Sequence, residues 1–275
     1  VKPPLKDRLD ALVVSTDAIK RRDADPVGFV HRYTDPNDQE VVGLICALLA
    51  FGNVVAIRRS VEKVLRALGE NPAHAIDSAT EGELGQRLDG FVHRVWRGPD
   101  VAQLLTNAAA LRRAHGSLAR AFTAMHAEQA DVVGGLTLFA DALRGRHPSR
   151  GLAHLVPDPR KGSACKRLLL YLRWMIRPAD GVDLGLFPIS PAELLIPVDT
   201  HIQRIARNLR LTERTDASLR TSREITAALR ALDPADPVRY DFALCHLGIT
   251  RECPSRRDPE RCGRCVIQDV CRHWR

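Results

Sequence analysis

Four of the chain's seven cysteines fall in its last two dozen residues. Cys253, Cys262, Cys265 and Cys271 read C-x8-C-x2-C-x5-C. In that spacing the close pair can bite one face of a metal or cluster while the flanking two wrap it. Four such thiolates suit a tetrahedral zinc and an iron-sulfur cluster alike, and spacing alone leaves the two open. The odd cysteine count and the absence of an export signal argue against a disulfide framework. Between the first two of these cysteines stand Arg256, Arg257 and Arg261. A loop clamped by a metal site would offer their guanidinium groups to phosphates. The other reading is a solvated charged loop, partly neutralised by Asp258 and Glu260. Cys46, Cys165 and Cys245 stand alone among apolar residues and read as buried free cysteines.

Two more residues have types that do chemistry. Asp199 follows Pro197 and opens a helical pattern, where an aspartate is expected as an N-cap accepting a backbone N–H. Lys166 opens another helix just past the turn Gly162-Ser163-Ala164-Cys165. A lysine there is ordinarily solvated or set against a phosphate, and a nucleophilic amine needs desolvation or a nearby charge to lower its pKa. By residue type alone, capping and surface roles stand beside catalysis.

The elements that must position these residues read as helices. Apolar spacing over Gln39–Leu68 gives two helices with a break at Gly52-Asn53. Further amphipathic stretches run over Val101–Arg113, Leu118–Glu128, Leu136–Leu143, Cys165–Ile176, Arg223–Leu232 and Tyr240–Leu247, and another starts at Val198. Pro178–Pro197 is rich in Pro and Gly and reads as an extended connector. No alternating strand pattern of convincing length, internal repeat or low-complexity tract appears, so the expected fold is all-α. Tyr171, Trp174 and Phe187 could stack on a base, but aromatics at helical spacing more often belong to a core.

The formal charge of +8 over 275 residues, with a pI near 9.4, points to a polyanionic partner. Nucleic acid is the first candidate, since each Lys or Arg set on a phosphate releases a counterion. No apolar run approaches a bilayer span and no signal peptide opens the chain, so a cytoplasmic, nucleoid-associated protein is expected.

The run Val198-Asp-Thr-His-Ile-Gln-Arg-Ile-Ala-Arg207, together with the terminal Cys262-Gly-Arg-Cys-Val-Ile-Gln-Asp-Val-Cys271, resembles endonuclease III and its relatives in the helix-hairpin-helix (HhH-GPD) DNA glycosylase superfamily. The resemblance implies a catalytic role for Asp199 and a [4Fe-4S] cluster on the four C-terminal cysteines. It further implies a nucleophilic amine at Lys166, and two packed helical subdomains of the HhH-GPD type. One, residues 39–176, would be a bundle ending in the hairpin; the other, residues 1–38 plus 177–275, would carry the cluster. The family's hairpin reads L-P-G-V-G-x-K-T-A, whereas the matching text here is Lys161-Gly-Ser-Ala-Cys-Lys-Arg167. Gly162 and Lys166 match, while Ala164 replaces a glycine whose N–H approaches a phosphate. The first cysteine spacing is two residues longer than in endonuclease III. Residues 178–197 form an insertion of a kind seen in archaeal 8-oxoguanine glycosylases, and the chain also resembles a bacterial branch of the superfamily with no assigned substrate.

The activity so implied is excision of a damaged, above all oxidised, or mismatched base from double-stranded DNA by a monomeric enzyme, after the nucleotide is flipped out of the stack. Lys166 would add an AP-lyase step through a Schiff base. Gly162, Ala164, Asn53, Arg256, Arg257 and Arg261 are the expected DNA contacts, with Asn53 facing the opposite base or merely capping its helix. The rival readings are a non-catalytic iron-sulfur DNA-binding module, a monofunctional glycosylase that uses water, and an RNA-directed enzyme.

Overall fold

The computed structural model describes residues 4–129 and 131–274. Helices α1 (Leu5–Ser15) and α2 (Ala18–Ala24) and a 3-10 segment, Pro26–Arg32, lead into α3 (Pro36–Leu49). Every residue of α3 from Val41 to Leu49 is buried, so α3 is a central helix, apolar all round rather than amphipathic. It stops at Ala50. Gly52 takes φ +109°, a conformation in which an L side chain is strained, and Asn53 starts α4 (Val54–Leu68).

Helices α5 (Pro72–Ser78) and α6 (Glu81–Arg87) precede a minimal antiparallel hairpin, β1 (Val92–His93) and β2 (Trp96–Arg97). Helices α7 (Gly98–His115), α8 (Leu118–Gln129), α9 (Val132–Arg144) and α10 (Arg150–Leu155) follow, and then α11 (Lys166–Ile176). Helix α11 lies close along α3 because Gly43 carries no side chain. A Cβ there would meet Met175 Cε at 2.4 Å and Tyr171 at 3.4 Å. Tyr171, Trp174 and Phe187 are all buried, and Tyr171 stacks parallel to Phe139. They are core residues, as helical spacing suggests.

The connector after α11 has no regular structure except a 3-10 turn at Pro191–Glu193. Its backbone is instead stitched to α11, with Leu184 N donating to Trp174 O at 2.8 Å and Phe187 N to Met175 O at 2.7 Å. Asp183, fully buried, accepts from both Arg173 on α11 and Arg177 just past its end. The segment that reads as an insertion is therefore a clamp on the helix that begins with Lys166.

Helices α12 (Thr200–Asn208), α13 (Leu219–Arg230), α14 (Asp241–Ile249) and the short α15 (Pro259–Gly263) complete the chain. Helices α12 and α14 pack together at Gly248, where a Cβ would meet His201 Cβ at 2.6 Å. Helices α1 and α2 both pack on α14, so the N-terminal helices close against the C-terminal ones around one contiguous core. The fold is mostly helical, as expected. The hairpin and the short helices α2, α5, α6, α10 and α15 escape periodicity because five to seven residues barely complete two turns. Among the described residues no helix is long and apolar enough to cross a membrane.

Candidate functional site

Lys166 and Asp199 sit at the starts of two helices, and the fold brings those starts together. The chain leaves α10, makes a 3-10 turn at Pro159–Lys161, and turns through Gly162 (φ +75°) and Cys165 (φ +47°), both left-handed, into α11. Gly162 is exposed with open space around its Cα, while Ala164 is buried. An isolated antiparallel bridge joins Ser163 to Ser218, fixing the turn beside the residue that caps α13.

Asp199 does cap its helix. Its Oδ1 accepts from His201 N at 2.9 Å and Ile202 N at 2.8 Å. Its other oxygen is thereby free for a different partner, and Oδ2 accepts from Lys166 Nζ at 2.9 Å. Capping and chemistry are thus not alternatives here, because each uses its own oxygen. Burial alone would raise the Asp199 carboxyl, but Lys166 and the helix-start N–H groups outweigh it and hold the pKa below the usual carboxylate value. Burial would likewise lower the Lys166 amine, but Asp199 outweighs it and the pKa is raised. The two groups rest as an ion pair, with the lysine side chain 30 % exposed and the aspartate 16 %.

Two further groups sit here that sequence reading did not place. Cys245 Sγ lies 3.9 Å from Asp199 Oδ2, and burial together with that carboxylate pushes its thiol pKa up. Cys245 packs half-buried against the core, as its apolar surroundings suggest, and is at the same time a neutral neighbour of the pair. Cys46 and Cys165 are buried, as expected. Asp241, at the first position of α14, is buried and accepts from Arg173 Nη1 at 2.8 Å through Oδ2. No local sequence signal marks either residue, since both reach the site by the packing of α14 on α12.

All four groups line one cleft of about 690 Å³, a size that suits a small ligand or an extruded nucleoside. Phe51, Gly52, Asn53 and Val54 line its other wall, and Phe51, Val54 and Val55 are exposed. Phe51 is held by Trp96 at 5.8 Å between ring centroids, and the guanidinium groups of Arg94 and Arg167 lie over its ring at 5.3 and 5.9 Å. Arg167 is desolvated and its pKa is brought down to about 10. Asn53 caps α4 by accepting from Val55 N at 2.9 Å, the local role weighed for it, while standing on the cleft wall. Trp174 touches the cleft from within the core.

Cys253, Cys262, Cys265 and Cys271 line a second, smaller hollow together with His273 and Trp274. Among the described residues no group of three or more His, Cys, Asp or Glu is arranged around a single metal ion. The donor set is nonetheless four half-buried thiols about one hollow, chemistry that suits a thiolate-ligated group. Between the first two, Arg256 and Arg257 are exposed on a loop and Arg261 is exposed on α15. Arg257 lies over Trp274 at 5.0 Å, and Arg261 faces Asp258 at 3.6 Å and donates to Arg251 O.

A family model described as "Protein of unknown function (DUF2400)" matches residues 25–250. The match takes in the turn at Gly162–Cys165, Lys166, Asp199 and Cys245 and ends just before the first of the four C-terminal cysteines. No curated protein matches the chain.

Proposed function

We propose that this chain, which belongs to the DUF2400 family, is a DNA N-glycosylase that removes a damaged or mismatched base from duplex DNA and then acts as an AP lyase through Lys166. The observation that carries the reading is the Lys166–Asp199 pair, 2.9 Å apart on the wall of a cleft of about 690 Å³. The V-D-T-H run and the basic charge support it.

In this reading the Lys166 amine passes its proton to Asp199 and attacks C1′ of the flipped nucleotide. The C1′–N bond breaks and its electron pair leaves with the base, which takes up the proton that Asp199 received from Lys166. Asp199, ionised again, stabilises the positive charge that develops at C1′. Departure of O4′ from C1′, protonated as it leaves, gives an imine to Nζ. Loss of a C2′ proton then expels the 3′-phosphate and cuts the strand. Phe51 and Val55, both exposed, and the Asn53 cap would fill the gap left by the extruded nucleotide, and Gly162 and the arginines Arg256, Arg257 and Arg261 are the proposed phosphate contacts. The four C-terminal cysteines would hold a [4Fe-4S] cluster, which when bound shapes the segment bearing those arginines. The two-subdomain division at residues 39–176 belongs to the same reading.

A second form of the activity is favoured by the raised pKa of Lys166, which keeps the amine charged at rest. Water would then attack, with Asp199 as the base, and no strand cleavage would follow. The test is a panel of duplexes carrying oxidised, deaminated and alkylated bases, with base release read separately from strand cleavage. Release that is lost in Asp199→Asn is expected, and accompanying cleavage assigns the lyase step. Intact DNA binding with no release from any duplex would replace this reading with a binding module.

A further inference from the structure

The cleft holds a second carboxylate that the reaction above does not use. Asp241 is 2 % exposed, lines the cleft, and lies one helical turn before Cys245 on α14. Its Oδ2 is taken by Arg173 Nη1, but its Oδ1 is buried with no hydrogen-bond partner. An unpaired buried carboxylate oxygen has given up its hydrogen bonds to water with nothing in return. A ligand that donates to it recovers that cost and a ligand that cannot leaves it standing, which is the condition for strong discrimination. Trp174 and Phe242, both buried, border the same cleft and make the surroundings of Asp241 apolar.

What such an acceptor would select follows from the chemistry of base damage. Deamination turns cytosine N3 and adenine N1 from lone-pair acceptors into N–H donors, giving uracil and hypoxanthine. Oxidation at C8 does the same to guanine N7. Burial raises the Asp241 pKa while Arg173 opposes it, and a carboxylate held ionised by that guanidinium accepts hydrogen bonds and cannot donate one, so it favours the damaged form over its parent. We propose that Asp241 Oδ1 reads the extruded base, selecting lesions in which damage has converted a ring nitrogen into an N–H. This rests on the glycosylase reading and names the substrate class for it. Arg173 holds the carboxylate in place and is itself fixed by Asp183, so the acceptor belongs to a rigid, buried unit.

The test uses wild type and Asp241→Asn. Arg173 is a donor only, so the oxygen of the substituted amide must face it and the amide NH2 turns to where Oδ1 stood, replacing an acceptor with a donor. Duplexes carry uracil, hypoxanthine or 8-oxoguanine, with 3-methyluracil and 1-methylhypoxanthine as counterparts lacking the N–H. An abasic-site duplex, which has no base to read, reports Lys166 alone by borohydride trapping. Wild type is expected to release at least one N–H base, faster than its N-methyl counterpart by about 10²-fold or more. The variant should lose release of that base by about the same factor while keeping abasic-site trapping within a fewfold, with its melting temperature measured alongside. Equal loss of release and trapping would make Asp241 merely structural. Undiminished release, or trapping by wild type without release of any of the three bases, would also overturn the assignment. Wild type that neither releases nor traps would overturn the glycosylase reading first and the assignment with it.

Discussion

Asp199 carries two jobs on two oxygens, and substitution can separate them. Asn is about as good an N-cap as Asp, so Asp199→Asn keeps the hydrogen bonds to His201 N and Ile202 N and replaces the charged acceptor facing Lys166 with an amide NH2. Asp199→Ala removes both. Losing the cap costs about 1 kcal/mol. Stripping a buried amine of its counter-charge can cost ~3–5 kcal/mol, but Lys166 is 30 % exposed, and solvent reduces the loss to about 1–2 kcal/mol. For a chain of this size about 1 kcal/mol moves the melting temperature by about 2 °C. The Asn variant should melt about 2–4 °C below wild type and the Ala variant about 4–6 °C below. The pH dependence has a definite sign. The Asp199 pKa is depressed below 3.8 in the folded chain, so its contribution is present above that value and is lost as pH falls through the folded pKa. The wild-type advantage over Asn should therefore persist at neutral pH and vanish in strong acid. NMR of reductively methylated lysines adds a site-specific check. Asp199 is the largest of the groups that raise the amine against its burial, so without it the Lys166 midpoint should fall. Equal destabilisation by Asn and Ala, or an unmoved lysine midpoint, would refute the two-oxygen account.

The connector clamp predicts that Asp183→Ala, which leaves Arg173 and Arg177 buried without their shared carboxylate, destabilises the chain by ~3–5 kcal/mol in urea titration. A loss under about 1 kcal/mol would mean that the segment is not a clamp. Gly248→Ala should cost about 1–3 kcal/mol because the new Cβ meets His201 Cβ at 2.6 Å, and it should weaken any Asp199-dependent activity by shifting the start of α12. A variant as stable and active as wild type would show that the helices accommodate it. Anaerobically purified protein should be brown with about four irons per chain, and Cys262→Ser should abolish the colour. Stoichiometric zinc without iron would overturn the cluster proposal.

Most of the long elements are legible in the sequence because their apolar spacing is self-contained, although α1 is not among the stretches that spacing marks. The bend between α3 and α4 is visible at Gly52-Asn53, and α11 is visible to within a residue. The short helices α2 and α5 are not, since their stability comes from neighbours distant in sequence. The connector reads as an insertion because its role depends on Asp183 meeting Arg173 and Arg177 at the end of α11. At the site, Lys166 and Asp199 stand out by position at helix starts, whereas Cys245 and Asp241 sit inside a helix that reads as ordinary core. Only the packing of α14 against α12 brings them to the cleft. Asn53, Asp199 and Lys166 show where residue type undercounts: a cap residue can also line a cleft, and a lysine at a helix start can be half-buried in an ion pair.

The most direct measurement on the central claim is borohydride trapping with abasic-site duplex, followed by peptide mass spectrometry to locate the adduct. The account predicts a single adduct on Lys166, lost in Lys166→Ala and reduced in Asp199→Asn. An adduct on another residue, or unchanged trapping in Lys166→Ala, would contradict it.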